Sequence, residues 1–172
     1  IAAVSDSKGA IYSAGGIDYE KLRKVKKETG SVINYSPGER LDAKKLFELN
    51  VDILVPGARP DVINEENADR IKAKIVAEAA NIPVSLEAEQ KLWQREILVI
   101  PDFLCNSGGV ISSYVEYRGG KVEEAFTQVR EKIRQNTLLV LDAAQRKQIT
   151  PREAALAVSY THLRAHETGR NL

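Results

Sequence analysis

The chain has 172 residues, 28% of them charged and 43% hydrophobic, with a formal net charge of +1. That length suffices for a substantial core, and the composition is that of a globular protein rather than a disordered one. The near-zero charge, with no Lys/Arg block, gives no electrostatic footprint for nucleic acid or an anionic membrane, and no apolar stretch approaches the roughly 18–20 residues of a bilayer span. Residues 1–5 lack the basic and long apolar regions of a signal peptide. A single cysteine, Cys105, excludes an internal disulfide and a multi-cysteine metal site, which fits a reducing cytoplasm. The sequence contains no methionine and opens inside an apolar run, so the expectation is a fragment with sequence missing upstream, since half a sheet would expose an edge.

Strand-like and helix-like runs alternate, the pattern of βαβ units on a parallel sheet. Residues 1–5 read as a short strand ending at Asp6. Asp18 is a candidate N-cap for a helix through Lys27, closed by Gly30. A short helix is expected over 41–49, with Leu46 and Leu49 on one face. Residues 52–55 read as a buried strand stopped by Pro56-Gly57, 64–71 as a helix, and 74–78 as the next strand, followed by the turn Ala79-Ala80-Asn81. Ser85 caps a helix through Arg95, and 98–100 is the last strand. Pro101 cannot continue a central strand because it lacks the ladder donor. Beyond it, Gly108 and Gly109 form a tight turn flanked by Asn106, Ser107, Ser112 and Ser113. Val122, Phe126, Val129, Ile133, Val140, Leu141 and Ala144 then mark one face of a long amphipathic helix. Thr150-Pro-Arg-Glu153 opens another, with Thr150 as N-cap, Pro151 at the first position and Glu153 closing a capping box. Residues 159–172 fit this pattern poorly and read as a non-native tail. His162 and His166 have the i,i+4 spacing of a metal pair, but two ligands without a third make a weak site.

In an open α/β sheet, ligands bind in the crevice at the carboxyl ends of the strands. Pro56-Gly57-Ala58, Asn81 and Asn106 all follow strands, and such ends converge. Small residues let a planar ring or ribose lie against the backbone, and asparagine both donates and accepts. Asp6 ends the first strand, where an acid can accept ribose hydroxyls; it is equally the aspartate of an ordinary surface turn. Ser7 and Lys8 could instead hold a 2′-phosphate. Ser113, one turn into the helix after Gly109, has no base near it in sequence and reads as a binding hydroxyl rather than a nucleophile. Cys105 reads as a small buried filler, and Glu78 as a structural carboxylate rather than a catalytic one. No acid–base pair or metal cluster is evident.

Four stretches occur in one order: Ala3-Val-Ser-Asp-Ser-Lys-Gly9, Asp52-Ile-Leu-Val-Pro-Gly-Ala58, Ile75-Val-Ala-Glu-Ala-Ala-Asn-Ile-Pro83 and the segment 99–117 with its Asn-Ser-Gly-Gly-Val and Ser-Tyr-Val-Glu-Tyr elements. Together they resemble the dinucleotide-binding half of glutamate dehydrogenase, within the glutamate/leucine/phenylalanine/valine dehydrogenase superfamily. The resemblance implies an α/β fold: a partial Rossmann-like, doubly wound parallel sheet over 1–117, C-terminal helices over 118–158 and the tail 159–172. It implies oxidative deamination of L-glutamate to 2-oxoglutarate and ammonia with NAD or NADP. By matching position, Asp6 takes the adenosine ribose, with Ser7 also in the cofactor site, Gly57 and Ala58 the adenine side, Asn81 and Asn106 the nicotinamide end, and Val110 and Ser113 the substrate. Ser113 then binds the side-chain carboxylate, which favours glutamate over the branched-chain and aromatic amino acids. The family's substrate domain, with its catalytic lysine and aspartate, and its glycine-rich phosphate loop are not in this sequence. No catalytic residue or metal is therefore expected within the chain, which should be incompetent alone and a homo-oligomer, hexameric, at full length. The turn expected as Gly-Ala-Asn-Gly-Pro-Thr reads Ala79-Ala-Asn-Ile-Pro-Val, with bulkier groups near the cofactor. The alternatives are an enzyme of the leucine, phenylalanine or valine type, and a non-catalytic nucleotide-binding module.

Overall fold

The computed structural model describes residues 1–168, with side chains through Ser159. His162 and His166, whose spacing made only a weak metal pair, and most of the tail thus lie outside the residues whose side chains are described. The chain divides into two units, residues 1–52 with 70–73, and residues 53–69 with 74–172.

In the first unit, β1 (Ala3–Asp6), β2 (Gly9–Tyr12) and β3 (Glu39–Leu41) form an antiparallel sheet in that order. Asp6 lies opposite Gly9, and Ala10 opposite Leu41. The strand expected over 1–5 is therefore real, but it belongs to a hairpin and not to the parallel sheet. Only Ser7 and Lys8 separate β1 from β2, and a two-residue link can join antiparallel strands alone. Helix α1 (Tyr19–Thr29) begins where the Asp18 carboxylate accepts the Lys21 N–H at 2.7 Å and stops at Gly30, whose φ of 75° is left-handed. Glycine takes that conformation without a Cβ penalty. Asp42 caps the single turn of α2 (Ala43–Leu46), which stops short of the expected Leu49 because the Phe47, Glu48 and Leu49 N–H groups bond three residues back. Ile11, Ile17, Leu22, Val32 and Tyr35 form the core of this unit.

In the second unit, β4 (Ile53–Leu54), β5 (Ile75–Ala77) and β6 (Leu98–Ile100) are parallel and adjacent in that order. The α/β class is thus as expected. Helix α3 (Leu86–Gln94) crosses from β5 to β6, its Ser85 hydroxyl accepting the Ala88 N–H at 3.1 Å. The helix expected over 64–71 is replaced by turns and one 3₁₀ turn, Ala68–Arg70. There the Asn67 side chain accepts from Asn64 N–H at 2.9 Å and donates to the Val62 carbonyl at 2.8 Å. Such local bonds offer the backbone an alternative to helix.

The chain then runs through α4 (Asp102–Cys105), α5 (Gly108–Tyr117), α6 (Val122–Lys147) and α7 (Pro151–Thr168). The capping box of α7 forms as its sequence predicts: Glu153 accepts the Thr150 N–H at 2.9 Å and Thr150 accepts the Glu153 N–H at 3.2 Å. Ile100, Leu104, Val140, Ala144, Ala154 and Ala155 make the core that joins β6 and α4 to α6 and α7. Each larger aliphatic side chain buried there stabilises the unit by about 1.5–3 kcal/mol. The apolar stripe of α6 is buried only toward its C-terminal end. Val122 and Phe126, at the other end, are 67% and 69% exposed. No helix among the described residues is long and apolar enough to cross a membrane.

Gly120, between α5 and α6, has no room for a side chain: a Cβ would sit 2.5 Å from Val115 Cγ1 and 3.0 Å from the Val115 carbonyl. Gly120→Ala should therefore destabilise the second unit by about 1–3 kcal/mol, read as a lowered urea midpoint. An unchanged midpoint would show that the turn is not packed this closely.

Candidate functional site

Strands β4, β5 and β6 end side by side, and hydrogen bonds stitch the segments that follow. Ala80 N–H donates to the Pro56 carbonyl at 3.0 Å, and Glu78 N–H to the Ile100 carbonyl at 3.1 Å. Over these strand ends and the start of α5 lies a cleft of about 930 Å³, a volume suited to a small ligand. Gly57, Ala58, Asn81, Asn106, Val110 and Ser113 all line it, so one cavity gathers six of the residues singled out from sequence. Arg59, Pro60 and Ile82 also line it and were not anticipated as site residues.

The Asn106 Nδ2 donates to Asn81 Oδ1 at 2.8 Å. That bond leaves the Asn81 amide nitrogen as a donor and the Asn106 amide oxygen as an acceptor. A Cβ on Gly57 would meet the Ala79 methyl at an ordinary 3.7 Å, so protein packing does not demand the glycine; its smallness keeps the cleft wall low. Ser112 turns back to the Gly109 carbonyl at 2.9 Å, while Ser113 is exposed on the cleft. The Cys105 thiol is half-buried and directed at the Ile100 carbonyl. Burial pushes it up to about 11, so it stays a protonated, unreactive thiol.

Asp6 and Ser7 belong to the first unit. Asp6 accepts from Lys8 N–H, Ser31 Oγ, Val32 N–H and Lys26 Nζ at 2.9, 3.1, 2.9 and 2.5 Å. Burial works against its charge, but these donors outweigh it and hold the carboxyl well below the usual range. Ser7 is exposed in the adjoining turn.

Behind the cleft, in the second unit, sequence reading missed a buried ion cluster. Arg152, on the first turn of α7, reaches Glu78 Oε2 at 2.9 Å, Glu89 Oε2 at 2.5 Å and Asp102 Oδ1 at 3.2 Å. Its guanidinium also lies over the Phe103 ring, 5.5 Å from the centroid. Burial pushes the Glu78 carboxyl up to about 7, against the pull of Arg152 and reinforced by the neighbouring Glu89 and Asp102 charges. Burial raises Glu89 too. Burial also opposes ionisation of Asp102, but the Ile82 and Phe103 N–H groups and Arg152 outweigh it and hold Asp102 low. Glu78 is fully enclosed and its Oε1 has no partner. Its other oxygen, Oε2, is held by the Asp102 N–H and by Arg152. The only sequence hint of Arg152 was its place beside the capping box, where an arginine normally faces solvent.

The sequence model of the Glutamate/Leucine/Phenylalanine/Valine dehydrogenase family matches residues 1–170. The chain belongs to this dehydrogenase family. It is 46% identical over 162 residues to the glutamate dehydrogenase of Aeropyrum pernix, an alignment covering 91% of this chain and 38% of that enzyme. It is 45% identical over 121 residues to the NADP-specific glutamate dehydrogenase of Saccharolobus shibatae, covering 70% and 29%. The crystal structure of the hetero-hexameric glutamate dehydrogenase from Thermus thermophilus, in its Leu-bound form, superimposes with a TM-score of 0.81 at 28% identity, covering 94% of this chain and 39% of that one. The chain thus spans well under half the length of the dehydrogenases it matches.

Against the expected family turn, this chain places Ile82 where glycine was anticipated. Ile82 has φ 47° and is 62% exposed. A β-branched residue in the left-handed region is strained by about 1–2 kcal/mol, and its side chain recovers little by burial. Ile82→Gly should therefore raise stability by about 1 kcal/mol; a lower melting temperature would show that the isoleucine side chain supports the loop.

Glu78 and Glu89 also set a pH dependence. Both have folded values above their unfolded ones, so the folded chain keeps protons that the unfolded chain releases. The stabilising effect of each is full below its unfolded value and is lost as pH rises through its folded one, about 7 for Glu78. Urea midpoints should fall between pH 5 and pH 8, and Glu78→Gln should remove much of that fall, on the order of 2 kcal/mol. An equally steep fall in the variant would assign the pH dependence to other groups.

Proposed function

We propose that the chain is the cofactor-binding part of a glutamate dehydrogenase, and that its cleft holds the nicotinamide end of NAD or NADP beside the amino-acid substrate. The observation that carries this reading is the hydrogen-bonded pair Asn81–Asn106, set in the same cleft as Val110 and Ser113. The pair offers one donor and one acceptor side by side, the complement of a primary carboxamide. Gly57 and Ala58 leave room along the wall for a flat group. NAD or NADP supplies the hydride acceptor for oxidation of the amino acid to its 2-oxo acid. Asn81 and Asn106 orient the carboxamide, and Val110 excludes water beside it. Asp6, kept charged by its four donors, is the acceptor for the adenosine ribose, with Ser7 beside it. Lys26, 45% exposed at its side chain, is the partner of Asp6 that a ribose hydroxyl can replace.

Ser113 donates to the side-chain carboxylate of glutamate. A hydrogen bond to a charged group contributes about 1.5–3 kcal/mol, enough to favour glutamate over leucine, phenylalanine or valine. The proton transfers of deamination fall to residues outside this chain. The whole protein would act in the cytoplasm as a homo-oligomer, a hexamer.

The test is a dehydrogenase assay of the complete gene product with NAD and NADP. Glutamate should be turned over faster than leucine or phenylalanine, and Ser113→Ala should raise the glutamate KM about tenfold. Equal or faster turnover of leucine would make it an enzyme of the leucine type. An unchanged KM would remove Ser113 from the substrate site. Cofactor binding without turnover of any amino acid would leave a nucleotide-binding module.

A further inference from the structure

Asp102 ties the ion cluster behind the cleft to it by hydrogen bonds. Arg152 Nη1 lies 3.2 Å from Asp102 Oδ1, and the other carboxylate oxygen accepts the Ile82 N–H at 3.0 Å. The Asp102 carbonyl accepts the Asn106 N–H at 2.8 Å. Its own N–H donates to Glu78 Oε2 at 3.1 Å, the same oxygen that Arg152 Nη2 holds at 2.9 Å. Asp102 is therefore fixed at all four of its polar positions. Two of these ties lead back to the cluster, and two lead forward, to Asn106 itself and to Ile82, the residue after Asn81.

Ile82 makes the forward tie consequential. Its left-handed backbone is one that an isoleucine avoids unless its surroundings impose it. The bond from its N–H to Asp102 is a direct restraint on that conformation, and Asn81 is the preceding residue. We propose that Arg152 is a positioning residue for the cleft: by fixing the Asp102 carboxylate it sets the backbone at Ile82 and the Asn81–Asn106 pair that receives the nicotinamide. This inference rests on the cofactor reading given above. A planar guanidinium can point at three carboxylates at once, which a lysine ammonium on a flexible stem does not reproduce.

The experiment compares wild type with Arg152→Lys and Asp102→Asn by amide NMR of the 172-residue chain and by NADH fluorescence titration of the complete gene product, with Ala144→Gly as a stability control. Arg152→Lys should move the Ile82 backbone and Asn106 side-chain amide signals and weaken NADH about tenfold, through mispositioning alone. Ala144→Gly, a core change away from the cleft, should lower the melting temperature but leave NADH affinity within about twofold. Folded Arg152→Lys with both sets of signals unmoved would overturn the proposal. If that variant does not fold, Asp102→Asn decides. Its single amide oxygen cannot serve both Arg152 and Ile82 as the carboxylate does, so the same signals should move and NADH should weaken, and no change in either would overturn the proposal. A complete gene product that fails to bind NADH, while the variants still move the Ile82 and Asn106 signals in the 172-residue chain, would overturn the cofactor reading and leave the link from Arg152 to Ile82 standing.

Discussion

Arg152 places one guanidinium among three carboxylates in the interior of the second unit. Fully ionised, such a cluster carries two excess negative charges, and burial makes each of them expensive. The structure resolves this unevenly. Asp102 stays charged because backbone N–H groups support it, whereas Glu78, enclosed and with one oxygen unpartnered, is pushed toward its neutral form. The cluster joins α7 to the ends of β5 and β6 and to α3, elements far apart in sequence. Removing one partner from a buried ion network leaves an uncompensated charge and typically costs about 3–5 kcal/mol. The cleft is built directly on the residues this network holds.

The same geometry separates support from binding. Glu78 and Asp102 face inward and spend their hydrogen bonds on the protein. Asn81, Asn106 and Ser113 face the cleft and keep polar atoms for a ligand. Ser112 and Ser113, adjacent in sequence, divide the same way: one hydroxyl closes on the helix backbone and the other stands on the cleft. Helix periodicity produces this split, since neighbours about 100° apart on a helix cannot share a face.

Much of the fold was legible in the sequence because its signals are local. Asp18, Ser85 and the Thr150/Glu153 box each cap a helix within three residues, and each cap forms as expected. The segments that follow the parallel strands bring Gly57, Ala58, Asn81 and Asn106 to one cleft, a convergence that strand ends imply; Val110 was reached only through the family resemblance. What escaped the sequence depends on longer or competing interactions. The hairpin of β1 and β2 was hidden because residues 9–12 carry little strand signal apart from the turn before them. The helix expected over 64–71 lost to asparagine side chains bonding their own backbone. Arg152 escaped because its partners lie 50 to 74 residues away, and no sequence spacing reveals a side chain that turns inward. The altered turn at Ile82 was visible as a bulky residue in an unexpected place; its left-handed backbone was not.

The central claim is that the Asn81–Asn106 pair receives a nicotinamide carboxamide. A crystal structure of the complete gene product grown with NADH tests it most directly. The account predicts the carboxamide oxygen facing the Asn81 amide nitrogen and its nitrogen facing the Asn106 amide oxygen, with Val110 and Ser113 beside the ring. NADH bound with its nicotinamide away from this pair would contradict the account.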